Sequence, residues 1–430
     1  MKFTPIFVLF LFVFAVAQEV TRLHTGNGIT AIQNQNVRAS LTLSQVLTMT
    51  LQRNPQLRAG MLEIRAREAA ALQAAAWPNP ELEVETENFA GSGSWGGFKA
   101  SETTVSVRQR IELGGKRGKR VRLAELDVEQ ATREYEWQKL DIVARVIIAF
   151  YDVLIAQKKV ALNREMLTLA ESFKDHIEKR VRAGRLSPAE LLRATVDVTE
   201  AQVVLQRSRK RLQVVRKKLA AFWDAREPRF AKVDGDLERF VPLPEFELLR
   251  KYLQDNPALL RFKTAQKKQQ IVRALVRAGR IPDPLVRVGW RRFHESGDRA
   301  IVAGISLLLP VLNRTREAEK EVLLRSAKIT RDEKTYRLEL ENALFDLYRQ
   351  LQAAFGAVQA LKGTIIPQAQ QAFTIIDVGY RQGKFGFLDV LEARRTLFVS
   401  RDAYLQKLNA YQKLKAQIER LVGRSLAEIR

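Results

Sequence analysis

The chain has 430 residues, 46% of them hydrophobic, with 72 Lys and Arg against 48 Asp and Glu for a formal charge of +24, and it has no cysteine. That length accommodates a sizeable core, while the missing cysteines exclude a disulfide framework, a thiolate metal site and a lipid-attachment cysteine. The basic excess does not make a nucleic-acid binder, because acids and bases interleave along helical stretches such as "REAEKEVLL" and "RDEKTYRLELE", which read as solvated helix faces.

Residues 1–17, "MKFTPIFVLFLFVFAVA", place Lys2 ahead of an apolar run and close on Ala15-Val16-Ala17. This is the pattern of a secretory signal peptide, so the mature chain is expected to begin near Gln18 and to work outside the cytoplasm. No later stretch reaches the roughly 20 apolar residues that a membrane helix needs, which leaves a β-barrel as the only route into a membrane. After an N-terminal segment (18–40) the chain divides into a first repeat (41–223), a linker (224–244) rich in Pro, Gly and charge, a second repeat (245–423) and a short tail (424–430).

The repeats are read from paired motifs. "LQRNPQL" (51–57) answers "LQDNPAL" (253–259), "WPNPELEVE" (77–85) answers "IPDPLVRVG" (281–289), and "RAGRLSPAELLRA" (182–194) answers "RQGKFGFLDVLEA" (381–393). A unit of around 200 residues is too long for a solenoid, so this is an internal duplication. After each Pro-x-Pro the period changes from helical to two: Leu82, Val84 and Thr86 alternate with Glu83, Glu85 and Glu87, and Val286, Val288 and Trp290 alternate with Arg287, Gly289 and Arg291. One hairpin per repeat follows, at about 81–112 and 285–309, with strands of about ten residues, the length of a tilted membrane strand. A soluble edge hairpin has the same pattern.

Long helices are expected next, over about 119–223 and 314–423. Lys119 to Ala183 contains no Gly or Pro and would run about 90 Å as one helix. A heptad seam, Leu191, Ala194, Val198, Ala201, Leu205, Ser208, Leu212, Val215, Leu219 and Phe222, repeats 199 residues later as Val390, Ala393, Leu397, Ser400, Tyr404, Lys407, Tyr411, Leu414, Ile418 and Leu421. Four strands cannot close a membrane barrel, since the smallest have about eight and an open edge in lipid leaves backbone groups unpaired. Three copies would supply twelve.

Taken together, the signal peptide, the duplicated helix–hairpin–long-helix units, the exits "IELGGKRGKR" (111–120) and "LPVLNRTRE" (309–317) and the two glycine corners resemble the TolC family of outer-membrane efflux proteins over nearly the whole mature chain. The first exit is most similar to the CzcC-like branch, which pairs with heavy-metal pumps of the resistance-nodulation-division class. The resemblance implies an α plus membrane β-barrel fold: a homotrimer with a twelve-stranded outer-membrane barrel in outer-membrane lipid and a periplasmic α-helical barrel. It implies a passive conduit without cofactor, coupled through a periplasmic adaptor to an inner-membrane pump. Gly184, Arg185, Gly383 and Lys384 would then form the periplasmic tip turns where the adaptor docks. Glu190, Asp389 and Glu392 fall where the family lines its aperture with acids. The family's basic partner, two residues after the second glycine, is replaced by Phe385, leaving Lys384, Arg185 or Arg193 to substitute.

Simpler roles stand beside these. Ser187-Pro188-Ala189-Glu190 has the form of a capping box with Pro at N1, and Asp389 occupies the matching N3 position after Gly386. The glycines and cations of "GGKRGKR" serve the strand-to-helix handover or an anionic lipid boundary. Glu83, Glu85, Glu87, Arg287 and Arg291 would face the barrel lumen if the alternating apolar residues face lipid, and would otherwise be a solvated face. Catalysis finds no support, with no nucleophile elbow, phosphate loop or metal-ligand spacing and only His24, His176 and His294. Drug efflux, type I protein secretion and a secreted coiled coil without a pore remain the alternative functions.

Overall fold

A computed structural model of the chain describes residues 38–310 and 315–429. The expected signal peptide, most of the 18–40 segment and residues 311–314 of the second exit lie outside the described residues.

β1 (Arg38–Thr42) bridges the N-terminal segment and the first repeat, which continues with α1 (Leu43–Arg53), α2 (Pro55–Ala74), β2 (Glu81–Glu87), β3 (Glu102–Arg110), α3 (Lys116–Arg182) and α4 (Pro188–Ala221). β4 (Phe230–Asp234) lies in the linker. The second repeat comprises α5 (Phe246–Tyr252), α6 (Pro257–Ala278), β5 (Pro284–Phe293), β6 (Arg299–Leu307), α7 (Arg316–Ala360), α8 (Ile366–Arg381) and α9 (Phe387–Val422).

Each Asn-Pro pair starts a helix, with Pro at a first-turn position that needs no N–H and Asn as cap. Asn54 Oδ1 accepts from the Gln56 and Leu57 amides, and Asn256 Oδ1 from the Ala258 amide. Both are also ties: Asn54 Nδ2 donates to the Phe222 carbonyl at 2.8 Å and Asn256 Nδ2 to the Leu421 carbonyl at 2.6 Å, joining the early helix of each repeat to the end of its last. Both asparagines are buried, so losing either partner would leave polar atoms unsatisfied.

The duplication is imperfect. α3 runs unbroken for 67 residues, about 100 Å, whereas its counterpart is split between α7 and α8 by a π-helical turn, Leu361–Ile365. Pro367 follows two residues after the turn, where the first repeat has Thr168; a proline there removes one helical hydrogen bond and crowds the preceding turn. The linker is more structured than its composition suggests. β4 pairs in parallel with β1, and Phe230 and Val233 enter the core beside Phe150, Val215, Leu219 and Leu408. A second core gathers Leu249, Leu344, Leu351, Tyr411 and Ile418, and a third, at the far end of the long helices, gathers Ile177, Ala194, Tyr380, Phe387 and Val390. The seam of α9 slips once: Lys407 is exposed and Leu408 takes the buried place.

α3 and α9 run antiparallel and are joined by ion pairs along their length, Asp141–Arg420 at 3.0 Å, Asp152–Lys413 at 2.7 Å, Lys159–Asp402 at 2.6 Å and Glu165–Arg401 at 2.8 Å. Part of the interleaved charge is thus a link between the repeats, not only a solvated face.

Candidate functional site

The two hairpins join into one antiparallel sheet, ordered β2-β3-β5-β6, with Val84, Val105, Trp290 and Ile301 in register across it. Leu82, Val84, Val105, Val107, Val288, Trp290, Ile301 and Ile305 share one face and are all exposed, Ile301 by 83% and Leu82 by 72%. A contiguous apolar face of this extent on a protein surface calls for a partner or lipid.

The opposite face carries charge in ordered pairs. Arg108 bridges Glu81 (3.3 Å) and Glu83 (3.1 Å), Arg287 lies 3.7 Å from both Glu83 and Glu85, and Arg291 reaches Glu87 at 2.8 Å and Glu102 at 2.7 Å. Arg291 Nε also donates to Thr104 Oγ1. All five residues expected on the lumen side, Glu83, Glu85, Glu87, Arg287 and Arg291, therefore lie on this one face. The outer edges of β2 and β6 are unpaired among the described residues.

Where the sheet hands over to α3, the cations of "GGKRGKR" are spent on backbone. Lys116 donates to the Ile281 carbonyl and pairs with Asp283, Arg117 donates to the Ala75 carbonyl and stacks over Trp77 at 4.8 Å, and Arg120 donates to the Ala74 and Ala76 carbonyls and pairs with Glu112. These carbonyls close the end of α2 and follow α6, where cations suit the helix dipole. Gly114 and Gly115 both have positive φ.

At the other end of the long helices the two corners have one geometry. Gly184 (φ +68°) and Gly383 (φ +80°) are left-handed, and the residue after each closes the same six-residue loop: the Arg185 amide donates to the Arg180 carbonyl and the Lys384 amide to the Gly379 carbonyl, both at 2.8 Å. Such a terminus needs glycine. Asp389 Oδ2 accepts the Gly386 amide at 2.8 Å, so this exposed carboxylate caps α9. Glu190 does not complete a capping box. Ser187 caps the Ala189 amide alone, and Glu190 Oε2 is buried without a hydrogen-bond partner among the described residues. The hydroxyl of Tyr380 is buried as well, and its pKa is pushed up first by burial and then by the Glu190 charge, against the neighbouring Arg180 guanidinium. Arg180 lies over the Tyr380 ring at 5.5 Å. Glu392 is exposed and unpaired within the described chain.

Phe385, in place of a basic residue, packs across Gly379. None of Lys384, Arg185 and Arg193 forms an ion pair within the described chain. The pair present here is Arg394–Asp197, linking α9 to α4, with side chains only 5% and 18% exposed. Sequence reasoning missed it. The available signal was position: Asp197 and Arg394 each adjoin a seam residue, Val198 and Ala393, where interhelical charge pairs form. No group of three or more His, Asp or Glu among the described residues is placed to hold a metal ion, and no described helix is long and apolar enough to cross a membrane.

A two-faced sheet carried on paired long helices suits a membrane-embedded subunit, and the family described as "Outer membrane efflux protein" matches residues 46–223 and 248–424. The chain belongs to this family of outer-membrane channel proteins, which is not a family of enzymes. It is 31% identical to the cobalt-zinc-cadmium resistance protein CzcC of Cupriavidus metallidurans over 96% of both chains. It is 26% identical to the nickel-cobalt-cadmium resistance protein NccC of Alcaligenes xylosoxydans xylosoxydans over 71% of this chain and 68% of the relative. Among solved structures, the Campylobacter jejuni CmeC outer membrane channel superposes with a TM-score of 0.74 at 12% identity, covering 92% of this chain and 90% of that one.

Proposed function

We propose that three copies of this chain close a twelve-stranded barrel in the outer membrane, continued in the periplasm by an α-helical barrel, and that this trimer is the exit conduit of a tripartite efflux system for divalent metal cations. The observation that carries the reading is the sheet, which has one exposed apolar face, one face of paired Glu and Arg, and two edges that are unpaired among the described residues and that only further strands can satisfy in lipid. The cargo class follows the relatives named for cobalt, zinc, cadmium and nickel. It needs no resident metal site, because a conduit selects by its aperture.

In this reading the Gly184 and Gly383 corners, with Arg185 and Lys384, form the periplasmic tip that meets an adaptor, and an inner-membrane pump of the resistance-nodulation-division type supplies the energy. Glu190, Asp389 and Glu392 ring the aperture, where mutually repelling carboxylates favour cations; for Asp389 this is compatible with its cap. Glu83, Glu85, Glu87, Arg287 and Arg291 line the barrel lumen. The test is conductance of purified protein in planar lipid bilayers, compared with an Asp389→Ala/Glu392→Ala variant. Discrete cation-selective conductance whose selectivity falls in the variant supports pore and aperture together. Pore activity unchanged in the variant would reduce both acids to surface and cap residues, and folded protein silent in both forms would remove the conduit.

A further inference from the structure

We infer that Arg394 and Asp197 are positioning residues that hold the aperture acids of the two repeats in register, in place of the basic residue that the second corner lacks. The inference rests on the conduit reading and adds the residues that set its aperture.

The pair is unlike the other links between helices. The four ion pairs joining α3 and α9 are between residues whose side chains are 24–52% exposed. Arg394 is 5% exposed and Asp197 18%, and the pair reaches from α9 to α4, the last helix of the other repeat. Burying a charge is unfavourable unless its partner is in place, so an arrangement of α4 and α9 that separates these two side chains is disfavoured. The pair therefore selects one relative placement of the helices.

That placement is the one the aperture depends on. Asp197 lies seven residues beyond Glu190 on α4, two helical turns or about 10 Å. Arg394 lies five residues beyond Asp389 and two beyond Glu392 on α9. Between pair and tip sits the cluster of Ile177, Ala194, Tyr380, Phe387 and Val390 with Phe173 against it, drawn from α3, α4, α8 and α9. A rigid plug of this kind transmits the placement set by the pair to the acids. No ion pair at the corner duplicates the function: Phe385 has no charge, Lys384, Arg185 and Arg193 have no carboxylate partner within the described chain, and Arg180 lies over the Tyr380 ring without pairing with an acid there.

The experiment records single-channel currents of the full-length protein in planar bilayers for wild type, Asp197→Ala, Arg394→Ala and the exchange Asp197→Arg/Arg394→Asp, with thermal melting of each. The expected result is that both single variants raise open probability by about tenfold or more and lose cation selectivity, while the exchange moves both back toward wild type. Because a single variant leaves one buried charge and can unfold, Asp197→Leu/Arg394→Met removes both charges together; it should fold and gate like the single variants. Folded variants that conduct with wild-type open probability and selectivity, or an exchange as open as the singles, would overturn the inference. Asp389→Ala/Glu392→Ala, recorded alongside, separates the two failures: if it conducts while the clamp variants match wild type, only the clamp is lost, and if nothing conducts, the conduit reading falls and the clamp with it.

Discussion

The ring of Phe385 occupies the space that a side chain on Gly379 would need: a Cβ there would stand 2.3 Å from Phe385 Cδ2 and 2.7 Å from Cε2. Gly379 is the carbonyl partner of the Lys384 amide, so the corner folds back on the last turn of α8 around this contact. Gly379→Ala should displace the ring at a cost of about 1 kcal/mol, small because Phe385 is 40% exposed and can swing outward. Melting should shift by only a few degrees, while proteolysis and hydrogen exchange at 380–386 should increase. A variant with wild-type protection across the corner would show that the contact does not order it.

Gly184 and Gly383 bear a different load. Both have positive φ, and a Cβ added at either would have open space for 4 Å around it, so alanine would meet backbone strain without a clash. Gly184→Ala and Gly383→Ala should each destabilise by about 1–2 kcal/mol, with hydrogen exchange faster in the corners than in the Asn54 and Asn256 regions. Asparagine at either position should recover part of the loss.

The two sheet faces predict opposite tolerances. Ile301→Lys puts a charge on the exposed apolar face and should cost about 2–4 kcal/mol of membrane stability if it lies near mid-bilayer. Ala300→Lys, one residue away on the charged face, should cost much less. Folding yield into lipid vesicles, read by heat-modifiable gel migration, distinguishes them, and equal loss in both would argue against a lipid-facing side.

The linker is clamped by Glu238, which pairs with Lys362 in the π-helical turn and accepts from the Tyr404 hydroxyl at 2.7 Å. The Lys362 hydrogen bond, then that of Tyr404, holds the Glu238 carboxyl below its ordinary range, while burial and then Glu238 push Tyr404 up. A carboxyl depressed on folding stabilises above its unfolded pKa of about 4.3, and that contribution disappears as pH falls through the folded value. Protection factors over 236–241, taken relative to the intrinsic exchange rate at each pH, should therefore fall as pH drops below the unfolded carboxyl value of about 4.3 and through the lower folded one, and Glu238→Gln should flatten that dependence. An unchanged profile in the variant would assign the acid response elsewhere.

The hairpins and corners were legible because their signals are local: a period of two after Pro-x-Pro, and a glycine with an acid six residues on. β1–β4 was not, because it is a parallel pairing of two five-residue strands separated by almost two hundred residues, and Pro and charge around β4 read as linker. The π-helical turn left no break in apolar spacing, and Pro367 alone does not distinguish a kink from a widened turn. Arg394 sits in "EARRTL" beside exposed Arg395; only the packing of four helices shows which arginine is inside. Glu190 fitted a capping box by sequence, yet one of its carboxylate oxygens is buried without a partner and its charge raises the pKa of Tyr380 from the other repeat.

The unpaired outer edges of β2 and β6 also bear on how the protein reaches its membrane. A lone protomer that pushed its sheet into hydrocarbon would strand two rows of amides and carbonyls without water or partner; under the proposed trimer, insertion would wait for neighbours. Biogenesis would then depend steeply on protomer concentration, with dilute chains accumulating as helical intermediates outside the membrane and completed trimers, not single subunits, entering it.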